Sequence, residues 1–191
     1  MEFLRGRDLT LVSEPGHLLP LPQAMSIVAR VAAALSYAHA HGVVHCDIKP
    51  ANIMYEPGSD AVKITDFGFA YITGSSRTGS GMIGMVRGTP GYLSPEQLAG
   101  GEIEGRSDLF ALGIVLYQLA SGHLPFQGDS MALLMFKIAC EPPVDILTYN
   151  PGLPPCLVDI INRALAKQPQ RRFQTGDEMA QAITECATTF R

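Results

Sequence analysis

The sequence predicts a mainly α fold, a helical bundle with short β-strands around one polar loop. Two observations carry this expectation. Helical periodicity returns at 23–41, 107–117, 130–140, 157–166 and 177–187. Between the first two of these lies the stretch His45-Cys46-Asp47-Ile48-Lys49-Pro50-Ala51-Asn52, led in by Val43-Val44 and followed by Ile53-Met54. Pro50 and Asn52 break any regular element there, so the polar cluster reads as a loop pinned between two short buried strands.

Each element follows from its residues. Residues 1–9 read as a short apolar strand end, a turn at Gly6 and a helix cap at Asp8. Ile27, Val28, Val31, Leu35 and Ala38 recur at helical spacing within 23–41, with Pro20 and Pro22 before the helix and Gly42 after it. Residues 55–60 form a turn, and Val62-Lys63-Ile64 alternates like a strand before Asp66-Phe67-Gly68. Residues 69–87 are rich in glycine and small polar residues, without a period. Residues 107–117 are apolar nearly all round, which marks a central buried helix, and Asp108 at its start is either an N-cap or an anchor for unpaired loop amides. Helices at 130–140, 157–166 and 177–187, with a loop over 142–155, complete the bundle.

Composition narrows the function classes. With 191 residues, 47% of them hydrophobic, the chain can bury a real core as one compact domain. A formal charge of −4 gives no electrostatic footprint for nucleic acid. The longest apolar run, Leu109 to Leu116, carries Gly113 and is closely followed by Gln118, so it fits a buried helix rather than a bilayer span. Residues 1–5 lack the apolar core of a signal peptide, and a cytoplasmic location is expected. Cys46, Cys140, Cys156 and Cys186 have no paired spacing and read as reduced thiols. His39 and His41 near a helix end read as dipole-facing or solvent-exposed rather than metal-binding.

The polar loop suits phosphoryl transfer. A carboxylate can accept a hydroxyl proton, an ammonium can neutralise charge on the moving phosphoryl, and an amide oxygen can take a metal. An aspartate at a strand end, like Asp66, can hold Mg²⁺ against phosphate oxygens. With His45-Cys46-Asp47-Ile48-Lys49-Pro50-Ala51-Asn52 followed by Asp66-Phe67-Gly68, the chain resembles the protein kinase superfamily, in its bacterial Ser/Thr form. Cys46 departs from the pattern, standing where the family usually has arginine. Further along, Gly88-Thr89-Pro90-Gly91-Tyr92-Leu93-Ser94-Pro95-Glu96 resembles the family's substrate-facing segment and its A-P-E motif, with Ser94 replacing alanine.

The resemblance implies a kinase hinge at 1–8 and a kinase-like C-terminal lobe over 9–191, without the N-terminal lobe and its glycine-rich phosphate loop. It implies ATP and Mg²⁺ as cofactors and a Ser/Thr-bearing protein as substrate. By the same match Asp47, Lys49 and Thr89 are catalytic, and Asn52 and Asp66 hold the metal. Backbone groups of Glu2 and Leu4, the Asp8 carboxylate and an apolar floor at Met54 bind the nucleotide. Residues 69–87 look like an activation segment, with Thr73, Ser75, Ser76, Thr78 and Ser80 as candidate phosphoacceptors. Arg172 matches the partner of Glu96. Because a thiol at Cys46 cannot neutralise a phosphate, activity independent of activation-segment phosphorylation read through the catalytic loop is expected, with Arg77 or Arg87 as the other basic residues that could supply a phosphate site. The alternative is a pseudokinase or scaffold that binds a protein partner without catalysis. The missing lobe speaks for that alternative and the intact Asp47, Lys49, Asn52 and Asp66 against it.

Overall fold

A computed structural model describes residues 6–67, 70–72 and 89–189. The expected mainly α architecture is present. Helices α1 (Leu21–Ala40), α2 (Pro95–Ala99), α3 (Gly105–Ser121), α4 (Met131–Cys140), α5 (Pro155–Ala164) and α6 (Gly176–Thr188) carry the bulk of the described chain. Strands β1 (Arg7–Asp8), β2 (Val43–Val44), β3 (Ile53–Glu56), β4 (Ala61–Ile64) and β5 (Tyr71–Ile72) are short. They form a three-stranded antiparallel sheet in the order β1-β3-β4 and a two-stranded pair of β2 with β5.

The core lies between α1 and α3. Met25, Ile27, Val28, Val31 and Leu35 are fully buried on one side of α1. Phe110, Leu112, Ile114, Val115, Leu116 and Tyr117 are fully buried around the whole circumference of α3. Each such side chain contributes about 1.5–3 kcal/mol relative to exposure, which makes α3 the post against which the rest is fixed. α6 packs along α1 closely enough that a Cβ on Gly176 would sit 2.0 Å from the Ala32 carbonyl oxygen, a contact open only to glycine. α1 ends where Gly42 takes φ +73°, and the chain turns directly into β2 and the polar loop.

Local differences from expectation have simple causes. α1 begins two residues early, at Leu21, because Pro22 sits in its first turn, where a missing N–H costs nothing. Asp8 lies in β1, not at the start of an α-helix. Its Oδ1 accepts the Thr10 N–H at 2.8 Å and so turns the chain into a 3-10 helix at Leu11–Ser13. A 3-10 turn, Ile146–Thr148, interrupts the loop at 142–155. α4 shows only one buried residue, Ile138, while Met131, Leu133 and Phe136 remain exposed. Its C-terminal carbonyls at Lys137 and Ile138 accept from the Lys167 ammonium, which also stands 3.9 Å from the centre of the Phe126 ring.

The cysteine expectation is corrected. Cys156 and Cys186 form a disulfide that joins the first turn of α5 to the last turns of α6 across a separation of 30 residues, while Cys46 and Cys140 lie outside it. Sequence spacing failed because this pairing is made by helix packing, not by a local motif. A bond of this loop length is worth about 2–4 kcal/mol, and a reducing compartment would hold the same pair as thiols. Alkylation of the unfolded, unreduced chain followed by intact mass measurement should show two labels. Reduction should raise that number to four and lower Tm, and Cys156→Ser should have the same low Tm with or without reductant.

Candidate active site

The polar loop is held from below by one carboxylate. Asp108, in the first turn of α3 and 1% exposed, accepts the His45 N–H on Oδ2 and the Cys46 N–H on Oδ1, both at 2.8 Å. It acts as an anchor for the loop, and Glu104 takes the N-cap position of α3. His39 from α1 closes the arrangement, with Nε2 2.8 Å from Asp108 Oδ2. This corrects the expectation for His39, which neither faces solvent nor simply meets a helix dipole. His41 does stay near the surface, bonded to the Tyr37 carbonyl.

Above the anchor the backbone takes an unusual course. Cys46 has φ +68° and Asp66 has φ +61°, left-handed values that cost a non-glycine residue about 1–3 kcal/mol. Such conformations persist only where surrounding bonds over-determine them, as the Asp108 carboxylate does at Cys46. His45 is fully buried and spans the two motifs: Nδ1 accepts the Asp47 N–H, Nε2 bonds the Thr65 carbonyl at 2.9 Å, and its ring meets Phe67 edge-on. The Asn52 carbonyl accepts the Thr65 N–H, a second tie between the loop and the strand end that carries Asp66.

Three of the expected catalytic groups meet. Lys49 Nζ donates to Asp47 Oδ2 and to Thr89 Oγ1, each at 2.7 Å. The Thr89 N–H donates to Asp47 Oδ1 at 3.1 Å, and Asn52 Nδ2 donates to the Asp47 carbonyl and Oδ2. Asp47 is 4% exposed, yet both of its oxygens are bonded, so its burial leaves no stranded charge. Asn52 turns its NH₂ inward, which leaves its amide oxygen for another partner. Asp66 is exposed, and no described residue bonds its carboxylate. The β-sheet register places Asp8 opposite Met54, and Met54 opposite Lys63, on the side from which Ile64 leads to Asp66. Glu2, Leu4, Gly68, Thr73, Ser75, Ser76, Thr78 and Ser80 lie outside the described residues.

Beyond Thr89 the chain is fastened by an ion pair. Arg172, 1% exposed, makes two 2.7 Å bonds to the Glu96 carboxylate and fills its other donors with the carbonyls of Ala166, Arg106 and Lys167. Ser107 Oγ donates to the same carboxylate. Burial works against charge on Glu96, but the Arg172 guanidinium and Ser107 outweigh it and hold the carboxyl below its ordinary value. Sequence reasoning found this pair. It missed His39 as a partner of Asp108 and Gln97, whose Nε2 reaches the Cys46 carbonyl at 3.1 Å. Neither residue had a spacing signal, since each acts across a gap that only the fold closes.

The fold thus gathers an aspartate, a lysine and an asparagine on one loop, with a second aspartate at a strand end. Residues 1–185 match the family described as protein kinase domain, and the chain belongs to it. It is 40% identical over 195 residues to serine/threonine-protein kinase PksC of Streptomyces coelicolor, covering 100% of this chain and 35% of the relative. It is 42% identical over 179 residues to pkn3 of Myxococcus xanthus, covering 90% of this chain and 33% of the relative. Against PknB of Mycobacterium tuberculosis the figures are 38%, 94% and 28%. The chain thus spans about a third of the length of these curated relatives. Among the described residues no helix is long and apolar enough to cross a membrane.

The ion pair yields a stability test. Removing one partner of a buried pair costs about 3–5 kcal/mol because the other charge is stranded, so Arg172→Ala should lose that much in urea unfolding. The pH dependence has a defined sign. The folded Glu96 carboxyl binds its proton less readily than the unfolded one, whose value is near 4.5. Its contribution is therefore complete above that pH and is lost as pH falls through the lower folded value. Glu96→Gln should flatten the acid limb of the stability curve below about pH 4.5.

Proposed function

We propose that this chain supplies the catalytic loop, metal-holding residues and substrate-facing segment of a serine/threonine protein kinase, with residues 9–191 as its C-terminal lobe. The contact that carries the reading is Lys49, whose ammonium joins Asp47 on the loop to Thr89 on the segment. A protein that only binds a partner has no need to bury a carboxylate among an ammonium, an amide and a backbone N–H. The relatives' names, serine/threonine-protein kinase, support the acceptor class, as does a lysine two residues after the aspartate.

In this reading Asp47 receives the acceptor hydroxyl and takes its proton. Lys49 stands beside it to steady negative charge on the transferred phosphoryl, and Thr89 fixes the distance between loop and acceptor. Asn52 and Asp66 offer an amide oxygen and a carboxylate, hard donors suited to Mg²⁺. When bound, Mg²⁺-ATP supplies the γ-phosphoryl and neutralises charge upon it. Asp8 would meet the ribose hydroxyls, Met54 would floor the adenine, and backbone groups of Glu2 and Leu4 would bond its edge. In the same reading the reaction is cytoplasmic, with a Ser/Thr-bearing protein as substrate.

The test uses a polypeptide in which a lobe with a glycine-rich phosphate loop precedes this chain. Asp47→Asn should lower kcat by about 10²–10⁴-fold, the range for a positioned general base. Asp66→Asn should chiefly raise the Mg²⁺-ATP concentration needed for half-maximal rate. Residues 1–191 alone should transfer no phosphate above the Asp47→Asn background, because positioning and electrostatics supply nearly all of this catalysis. An unchanged rate in the Asp47 variant would reject the assignment.

A further inference from the structure

Gln97 uses its two amide ends for different purposes. As the third residue of α2, it accepts the Ser94 N–H on Oε1 at 2.9 Å, and its own N–H donates to Ser94 Oγ at 3.4 Å, a reciprocal helix cap. Its Nε2 points away from the cap and donates to the Cys46 carbonyl, 51 residues back in the chain. That carbonyl belongs to the peptide unit whose N–H is the Asp47 N–H. The other end of the unit is held too, since the Asp47 N–H donates to His45 Nδ1 at 3.2 Å. The plane of the Cys46–Asp47 peptide is therefore fixed at both its oxygen and its nitrogen, just after a residue at φ +68° and just before the buried carboxylate.

We propose that Gln97 is a positioning residue for Asp47: its amide locks the peptide plane before the aspartate and ties α2 to the catalytic loop by a bond without charge. The proposal rests on the reading of Asp47 given above. The structure supports it in two ways. Cys46 takes a left-handed backbone, unfavourable for a residue with a side chain, and Gln97 and Asp108 hold the peptide groups on either side of it. Residue 46 also carries a thiol, not a guanidinium, so a bridge from this residue to a phosphorylated segment by charge pairing is not available. A neutral amide bond needs no phosphate to form it.

Gln97→Glu separates the two ends of the side chain. The introduced carboxylate still accepts the Ser94 N–H, preserving the cap, but cannot donate to the Cys46 carbonyl. Amide hydrogen exchange by NMR on the 191-residue chain at neutral pH reads the outcome. The His45, Cys46 and Asp47 amides should exchange about five- to tenfold faster, as loss of one such bond implies, while Leu98, Ala99 and the amides of α3 keep their protection. Ser94→Ala should show the reverse pattern, loosening α2 and sparing residues 45–47. Near pH 4, where the introduced carboxyl regains a proton and can donate again, the gap between Gln97→Glu and wild type should narrow. Equal exchange at residues 45–47 in Gln97→Glu and wild type would overturn the proposal, as would equal loosening of those residues by Ser94→Ala. In the two-lobed protein Gln97→Glu should lower kcat with KM for ATP unchanged. If Asp47→Asn proves silent while the exchange pattern holds, the catalytic reading fails and the positioning bond stands.

Discussion

The carboxylate of Asp108 is the interaction on which the rest depends. It sits in the first turn of the most buried helix, which cannot move without opening the core, and it spends its oxygens on the backbone of His45 and Cys46. A backbone turn at φ +68° is unfavourable for a residue with a side chain. Two hydrogen bonds, each worth about 0.5–1.5 kcal/mol, are of the size needed to hold it. His39 adds a donor on the far side and ties the end of α1 to the start of α3. The most buried helix thus reaches the polar loop through the Asp108 side chain.

How much of this was legible in the sequence depends on whether a signal is local. The apolar period of 23–41 and the continuous apolar surface of 107–117 gave helices in the right places, because a helix must bury a face and the face repeats. Asp47, Lys49 and Asn52 were legible because they share one loop, and the structure brings Lys49 to Thr89 as the resemblance implied. The Cys156–Cys186 bond was not legible: two cysteines 30 residues apart look alike whether or not α5 and α6 bring them together. His39 failed for a related reason. Its helical position was read correctly, but what a side chain at a helix end meets is decided by the neighbouring helix.

Asp8 shows the same limit at smaller scale. An aspartate after a glycine turn reads as a helix cap, and its carboxylate does accept a backbone N–H two residues on, from Thr10. The element it starts is a short 3-10 turn, and Asp8 itself pairs across the sheet with Met54. The local chemistry was right and the element wrong, since capping bonds and strand pairing are satisfied by the same residue.

Charge and neutrality are divided by distance from Asp47. Far from Asp47, at Glu96 and Arg172, an ion pair with every Arg172 donor filled fixes α2, which follows Thr89 in the chain. Beneath Asp47, the Asp108 side chain grips peptide groups. At the peptide plane next to Asp47 the contacts are an amide from Gln97 and an imidazole nitrogen from His45. Neutral donors and acceptors can set the orientation of the carboxylate while Lys49 remains the one cation bonded to it among the described residues. The orientation of the carboxylate is thereby held by neutral groups on its own peptide, while the cation bonded to it comes from a side chain that also reaches Thr89.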